Sequence, residues 1–227
     1  MPITYPHYVK TPTHCVIEHL SGEMISRKII TGQLENQYHK KMLFILMNPS
    51  KANEHDSDNT LNKCASVAFN SLPHLEIGEI SIVNVYPFYE SSASHLNSVL
   101  HDVKSKSKEF YYKEMFANLR TVQEAVKTAD YILLGTGGIP GSIIDKEEYT
   151  FILDTIVSYV ESFHGTVFLG TSTKYHDKYV YMDKYSYHIC PNGNPNTIDK
   201  IKLHKVQNGK FISIHEDDYS INAPLLI

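Results

Sequence analysis

The feature of the sequence that most constrains its fold is a series of four short apolar runs separated by segments with helical spacing. The runs lie at residues 42–47, 80–86, 131–135 and 166–170. Apolar runs of this length without regular polar alternation are typical of strands buried on both faces of a sheet. Alternation of such strands with helices indicates a parallel sheet covered by helices. We therefore expect an α/β fold with three layers, α/β/α, around a central, mainly parallel sheet of four strands.

The 227 residues are expected to form a single α/β domain with three parts. Residues 1–40 are an N-terminal extension with a β-hairpin that turns at Ser21 and Gly22 and lies at the edge or flank of the sheet. Residues 41–171 form the α/β core. Residues 172–227 are expected to be mostly irregular, with one strand near Phe211 to Ile214, and to close the pocket.

Composition excludes several classes of protein. The formal charge of −4 and the pI of about 6.3 argue against binding nucleic acid by net charge alone, although a local basic face is compatible with them. The cysteines Cys15, Cys64 and Cys190 form no CxxC pair, which indicates a reducing compartment without disulfides. With no apolar signal segment and no membrane-length run, we expect a cytoplasmic protein that does not contact a membrane.

No pattern in the sequence predicts a cofactor or a metal. The segment GTGGIPG after the third strand matches neither of the usual glycine-rich phosphate loops. His176 and His188 lack partners at metal-ligand spacing. We therefore assign neither a cofactor nor a metal site.

Polar residues and glycines follow each predicted strand. The endings are Asn48-Pro49-Ser50, Tyr86-Pro87-Phe88-Tyr89, Gly135-Thr136-Gly137-Gly138 and Gly170-Thr171-Ser172-Thr173. Ligands of open parallel sheets bind outside the carboxyl ends of the strands. The endings therefore predict one crevice with an amide, hydroxyls, aromatic rings and glycines that allow a ligand to approach the backbone.

Each candidate residue also has a structural interpretation. Asn48 could orient a water or read a nucleobase edge, or it could cap its own turn before Pro49. Asp58 could be a general base or simply the N-cap of the following helix, 59–71. Tyr86 and Phe88 could stack on a base or belong to the core.

Two groups of lysines could contact the backbone of a nucleic acid, although such groups are usually solvated surface charges. They are Lys104, Lys106 and Lys108, and Lys200 and Lys202.

Residues 44–64 resemble the signature of an uncharacterised bacterial family, domain of unknown function 1643. The matching positions are Asn48, Pro49, Ser50, Ala52, Asp58, Thr60 and Cys64. Ser57, Asn59 and Leu134 stand where the family pattern has Asp, Pro and Trp. The chain therefore resembles a divergent member of this family.

A more distant resemblance is to the uracil-DNA glycosylase superfamily, whose strands end in motifs of a similar order. The corresponding segments are 47–50, 84–88, 134–135 and 188–192. This resemblance implies a uracil-DNA-glycosylase-like fold. It also implies a nucleobase N-glycosylase that acts on DNA, including a modified base, through attack of water at the anomeric carbon.

The resemblance also implies roles for individual residues. Asn48, assisted by Asp58, would position the water, and His188 or Asn192 would donate a hydrogen bond to the leaving base; His176 competes with His188 for this place. The other substrate-binding residues would be Pro49, Ser50, Asn84, Tyr86, Phe88, Gly135 and Thr171.

Three functions are compatible with this pattern, with DNA or a nucleotide-like small molecule as the partner. A DNA glycosylase should have a basic stripe of the lysines named above beside the crevice. A hydrolase of a free nucleotide or nucleoside, which the acidic net charge favours, should have a closed pocket without that stripe. In a non-catalytic ligand-binding protein, Asn48 would be occupied by its own turn, away from any cavity. The sequence leaves the base, the strandedness of the substrate and the oligomeric state open.

Overall fold

A computed structural model describes most of the chain. The described residues are 3–19, 25–50, 52–90, 93–139, 145–182, 184–214 and 219–221. The strands are β1 (His14–His19), β2 (Ile25–Gln33), β3 (Lys40–Leu46), β4 (Ile77–Asn84), β5 (Tyr131–Leu134), β6 (Thr166–Thr171), β7 (Val180–Tyr181), β8 (Tyr185–Ser186), β9 (Lys200–Gln207), β10 (Lys210–Ser213) and β11 (Tyr219–Ser220). The helices are α1 (Asn59–Ser66), α2 (Ala93–Lys106), α3 (Lys108–Thr128) and α4 (Lys146–Phe163).

Within the described part of the chain, the main sheet has nine strands and is mixed. Its order is β1-β2-β4-β3-β5-β6-β9-β10, with β11 also paired to β9. The four central strands, β4, β3, β5 and β6, are parallel to one another and correspond to the four apolar runs of the sequence. The predicted α/β class with a parallel centre is confirmed, but the predicted number of four strands is wrong, because antiparallel strands extend the sheet on both sides.

The predicted N-terminal hairpin forms one of these extensions. β1 and β2 are antiparallel, and β2 pairs with β4, so that β1 is an edge strand. The predicted turn at Ser21 and Gly22 lies outside the described residues.

The other extension comes from the C-terminal segment, where β10 coincides with the strand predicted near Phe211 to Ile214, whereas β9 and β11 lie where irregular structure was predicted. β9 pairs antiparallel with β6, and both β10 and β11 pair with β9. The β9 sequence KIKLHKVQ has few apolar residues, and only part of it, including Ile201 and Val206, is fully buried. Such a half-exposed strand lacks the continuous apolar run by which the central strands are recognised.

Each face of the sheet carries its own hydrophobic cluster. Since successive side chains of a strand point to opposite faces, Leu43 and Ile45 pack with α2, α3 and α4, whereas Met42 and Phe44 pack with α1. Each of these buried side chains contributes roughly 1.5–3 kcal/mol of transfer free energy. In the part of the chain that the structure describes, no helix is long and apolar enough to cross a membrane.

Helix α1 begins where the sequence predicts. The Asp58 carboxylate accepts a hydrogen bond from the Leu61 N–H at 2.8 Å, which is the geometry of an N-cap. A π-helix, Val67–Ser71, continues α1 to the predicted end of the helical segment. The first turn of α1 is thereby fixed beside the carboxyl ends of the parallel strands.

Candidate functional site

A cavity of about 330 Å³ lies where β3 and β4 end, on the face of the sheet that α1 covers. This volume is at the lower end of the range for small-molecule sites. The polar residues in its wall are Arg27, Asn48, Ser50, Asp58, Asn59, Thr60, Asn84, Glu90, His188, Cys190 and Asn192. All three residues predicted to be catalytic, Asn48, Asp58 and His188, therefore line one cavity, although their roles stay predictions.

The strand order arranges these side chains across the cavity. Arg27 lies on β2, and Asn84 lies at the end of the neighbouring strand β4. Leu46, at the end of β3, is the register partner of Asn84. Strand β5 lies on the other side of β3, and Gly137 follows it. His188 packs against this glycine, because a Cβ placed on Gly137 would lie 3.5 Å from the His188 Cβ. Arg27 and His188 are therefore at opposite ends of the cavity, with Asn84 between them.

Asn48 is held by the segment that follows β4. Its side-chain amide donates a hydrogen bond to the Glu90 carbonyl, and the Glu90 N–H donates to the Pro49 carbonyl at 3.0 Å. Within the described ranges, the Asn48 Oδ1 accepts no hydrogen bond. This oxygen is available to a water or a ligand, in contrast to the expectation for a purely structural Asn48.

Asp58 combines its structural role with a contact to Ser50. One carboxylate oxygen caps α1, and the other accepts a hydrogen bond from the Ser50 hydroxyl. A carboxylate has about four acceptor positions, so these two contacts leave room for a further donor from the cavity. The N-cap interpretation is confirmed, and the catalytic role stays a prediction.

His188 presents one defined nitrogen for donation. Its Nδ1 accepts a hydrogen bond from the Cys190 N–H at 3.1 Å, so the neutral ring carries its proton on Nε2. Burial lowers the pKa of His188, and the negative charge of Asp58 opposes this shift. His188 is therefore a neutral donor at pH 7. His176, the other candidate, is exposed and does not line the cavity.

Asn84 is completely buried, and its side chain has no hydrogen-bond partner among the described residues. Neither Nδ2 nor Oδ1 is satisfied in the described structure, although Asn84 lines the cavity. Its main-chain carbonyl accepts a hydrogen bond from the Asn118 side chain at 2.8 Å, which fixes the end of β4. A buried, unsatisfied polar group costs about 1–3 kcal/mol. The Asn84 amide is therefore a strong candidate for a ligand contact.

Arg27 is a cavity residue that the sequence reasoning missed. Its side chain is 1% exposed, and it donates from Nη1 to the Ala52 carbonyl at 2.9 Å. The guanidinium carbon lies 5.7 Å from the centre of the Tyr89 ring. Its neighbours Ser26 and Lys28 are also polar, so no local pattern in the sequence distinguishes Arg27 as a buried residue.

Two predicted aromatic contacts do not reach the cavity. Tyr86 is fully buried with its ring centre 6.1 Å from that of Tyr149, and Phe88 stacks on Tyr111 at 5.6 Å. Both belong to the hydrophobic cluster beneath α2, α3 and α4, on the opposite face from the cavity. Tyr86 and Phe88 are therefore core residues, and they are not placed to stack on a base in the cavity.

Among the other predicted substrate-binding residues, Ser50, Asn84 and Asn192 line the cavity, whereas Pro49, Gly135 and Thr171 do not. The Thr171 hydroxyl is buried and donates to the Lys178 carbonyl. A Cβ at Gly135 would lie 3.2 Å from Leu46 Cδ2 and 3.3 Å from Ile189. Gly135 therefore allows the segment before His188 and Cys190 to pack closely behind the cavity.

None of the five lysines predicted to contact nucleic acid lines the cavity: Lys104, Lys106, Lys108, Lys200 and Lys202. Lys104 forms an ion pair with Glu148 at 2.8 Å, and Lys200 forms one with Asp177 at 2.9 Å. The predicted basic stripe is therefore not part of the cavity wall.

The fold and the site together define a mixed α/β protein with a polar cavity at the carboxyl ends of its parallel strands. The family described as "Protein of unknown function (DUF1643)" matches residues 27–174, more than half of the chain. The chain belongs to this family. Neither a curated protein nor a solved structure matches it.

Proposed function

We propose that the protein hydrolyses the N-glycosidic bond of a nucleobase bound in the cavity. The observation that carries this proposal is the convergence of Asn48, Asp58, Asn84 and His188 on one cavity of about 330 Å³. The resemblance of the strand endings to those of the uracil-DNA glycosylase superfamily supports the same reaction and a uracil-DNA-glycosylase-like, three-layer fold.

The reaction needs a positioned water. The Oδ1 of Asn48 accepts a hydrogen bond from the water, whose oxygen bonds to the anomeric carbon. The bond from that carbon to the base nitrogen breaks, and its electron pair leaves on the base. A proton of the water passes to the Asp58 carboxylate or to solvent. Asn48 is suited to this role because its amide is already fixed by Glu90.

The departing base needs donors that match its developing negative charge. The Nε2–H of His188 donates a hydrogen bond to the base, which then takes a proton from solvent. A neutral imidazole can donate this hydrogen bond, and it carries no buried positive charge when the cavity is empty. The Asn84 amide both donates and accepts, which suits the edge of a nucleobase.

A free nucleoside or nucleotide is the substrate that the cavity favours. The cavity volume suits one nucleoside or nucleotide, and none of the five predicted lysines contributes to the cavity wall. The formal charge of −4 points the same way, because it does not attract a long polyanion.

A groove of about 760 Å³ favours single-stranded DNA as a second candidate substrate. Its lining includes Tyr175, Tyr181 and Tyr187, together with Lys174 and Lys178. The ring centres of Tyr175 and Tyr187 are 4.0 Å apart. Tyrosine rings beside lysines are typical of surfaces on which single strands stack. The groove adjoins the cavity along the chain, because His188 directly follows Tyr187.

The test is release of free base. The protein would be incubated with nucleosides, with nucleoside monophosphates and with single-stranded oligonucleotides carrying normal and modified bases, and the products separated by chromatography. We expect release by the wild type and by the control Asn196→Ala, an exposed asparagine outside the cavity. Asn48→Ala should reduce release roughly 100-fold or more. No release from any substrate by folded protein, or equal release by Asn48→Ala, would overturn the proposal.

A further inference from the structure

We propose that Arg27 binds a phosphate of the ligand, so that the cavity recognises a nucleotide rather than a nucleoside. The inference rests on the proposed function in placing a nucleobase ligand in the same cavity. Its basis is a buried guanidinium at one end of that cavity, to which the described part of the chain supplies no ion-pair partner of the kind that buried charges usually have.

The environment of Arg27 satisfies only part of the guanidinium. Nη1 donates to the Ala52 carbonyl at 2.9 Å, but this oxygen also accepts a hydrogen bond from the Tyr89 hydroxyl at 3.0 Å. The Nε of Arg27 is buried and has no hydrogen-bond partner within the described ranges. Among the residues that the structure describes, no carboxylate oxygen lies within 4.0 Å of the guanidinium. Arginine stays protonated under all ordinary conditions, so neutralisation of the side chain does not relieve this burial.

The adjacent residue shows how the fold compensates a buried cation elsewhere. Lys28, whose side chain is 11% exposed, forms ion pairs with Glu18 at 2.5 Å and with Glu114 at 3.5 Å. Arg27 and Lys28 are neighbours on β2, but among the described residues only Lys28 has acidic partners. The difference points to an anion from outside the chain as the partner of Arg27.

Asn84 supplies an independent observation that a ligand binds at this place. It lies on β4, the strand next to β2, and its completely buried amide is also unpartnered. In the described structure, a partly satisfied Arg27 and a wholly unsatisfied Asn84 on neighbouring strands therefore line the same cavity as Asn48 and His188. A ligand that spans the cavity would contact Arg27 with one end and His188 with the other.

Phosphate is the anion that best matches the rest of the wall. The planar guanidinium binds phosphate oxygens through two parallel hydrogen bonds. Asp58 and Glu90 also line the cavity, and carboxylates are typical acceptors for the hydroxyls of a nucleotide sugar. A nucleotide therefore offers a phosphate for Arg27, hydroxyls for the carboxylates and a base for Asn84 and His188.

The experiment compares nucleosides with their monophosphates, using adenosine, cytidine, guanosine, uridine and thymidine as the base series. Dissociation constants would be measured by calorimetry, or Michaelis constants where hydrolysis occurs. In the wild type, at least one monophosphate should bind roughly 10- to 100-fold more tightly than its nucleoside, the range for a charge-assisted contact. In Arg27→Met this preference should fall to about one, and in Arg27→Lys it should be intermediate. Arg120→Met, at the other arginine of the chain, which is exposed on α3, is the matched control.

Two further arms identify the source of the phosphate. Trinucleotides without terminal phosphates test a phosphodiester, and inorganic phosphate tests the isolated anion as a competitor. Tighter binding of the trinucleotide than of any monophosphate, lost in Arg27→Met, would assign the contact to a nucleic-acid strand. Equal binding of nucleosides and monophosphates by the wild type, with no binding of trinucleotide or phosphate, would overturn the inference even if Arg27→Met does not fold. Phosphate-dependent binding without base release would support the inference and contradict the proposed reaction, so the two failures are distinguishable.

Discussion

Ser50 donates a hydrogen bond from its hydroxyl to the same Asp58 carboxylate that caps helix α1. The contact joins the turn after β3 to the first turn of α1, on two sides of the cavity. Asp58 therefore has a role in stability that is separate from any role in catalysis. Variants that keep one role and remove the other can tell the two apart.

Replacement of Asp58 by serine or alanine separates capping from chemistry. Asp58→Ala should lower the free energy of unfolding by about 0.5–2 kcal/mol, because α1 loses its N-cap. Asp58→Ser keeps a capping oxygen and should lose less stability, yet base release should fall as far as in Asp58→Ala. Denaturant unfolding and the base-release assay measure the two effects. Full base release by Asp58→Ser would mean that the carboxylate is only a cap.

Asn84→Leu should stabilise the empty protein. The substitution replaces two unsatisfied polar atoms by an apolar group of similar shape, for which we expect a gain of about 1–3 kcal/mol in the free energy of unfolding. Nucleotide binding should be lost in the same variant. Asn118→Leu is the control, because this equally buried side chain donates to the carbonyls of Asn84 and Val85 at 2.8 and 3.2 Å and should be needed for stability. A destabilised Asn84→Leu would contradict the assignment of the amide to a ligand.

His188 should make stability depend on pH below its ordinary pKa. Burial lowers the pKa in the folded state, so between the folded value and about 6.5 the unfolded chain binds more protons. The free energy of unfolding should therefore fall as the pH is lowered from about 6.5, by at most about 1.4 kcal/mol per pH unit from this one group.

Two replacements of His188 provide the comparison. His188→Asn places an oxygen where Nδ1 accepts from the Cys190 N–H, and His188→Gln places an amide nearer Nε2. Both should flatten the pH dependence of unfolding, whereas only His188→Gln should retain part of the base release. An unchanged slope in both variants would show that His188 does not cause the dependence.

The groove lined by Tyr175, Tyr181 and Tyr187 should contribute to the binding of single-stranded DNA but not to the binding of a free nucleotide. Changing both Lys174 and Lys178 to glutamine should weaken binding of a single-stranded oligonucleotide and reduce the slope of log K against log salt by roughly 0.7 per lost phosphate contact. Tyr181→Ala should weaken the same binding through lost stacking. Binding of a nucleoside monophosphate should not change. If all three substitutions leave oligonucleotide binding unaltered, the groove does not bind DNA.

The central sheet could be predicted because its strands are buried on both faces. Runs such as 42–47 have no polar alternation, and they correspond to the parallel strands of the structure. The flanking strands were harder to recognise, because β9 alternates lysines with apolar residues and takes its place in the sheet only through pairing with β6. Local pattern does not determine such long-range pairing.

In the cavity, too, local sequence predicts some residues, and long-range contacts bring in the others. Asn48 and Asp58 could be predicted as candidates because they directly follow a central strand or begin a helix. Arg27 could not, because its distance from them along the chain hides its place in the cavity. Tyr86 and Phe88 also follow a central strand, but the chain turns after β4 and buries both rings in the core. Position at a strand end therefore predicts the region of a side chain and not its direction.

The most direct test of the central claim is to follow base release in water labelled with heavy oxygen. Any substrate found to release its base would be incubated with the wild type in the labelled water. The masses of the free base and of the sugar product would then be measured by mass spectrometry. At early times, before the anomeric oxygen of the free sugar exchanges with solvent through the open-chain form, we predict one labelled oxygen atom on the anomeric carbon and none on the base, because water attacks that carbon. Label on the base, or a sugar product without label at those times, would contradict hydrolysis of the N-glycosidic bond by water.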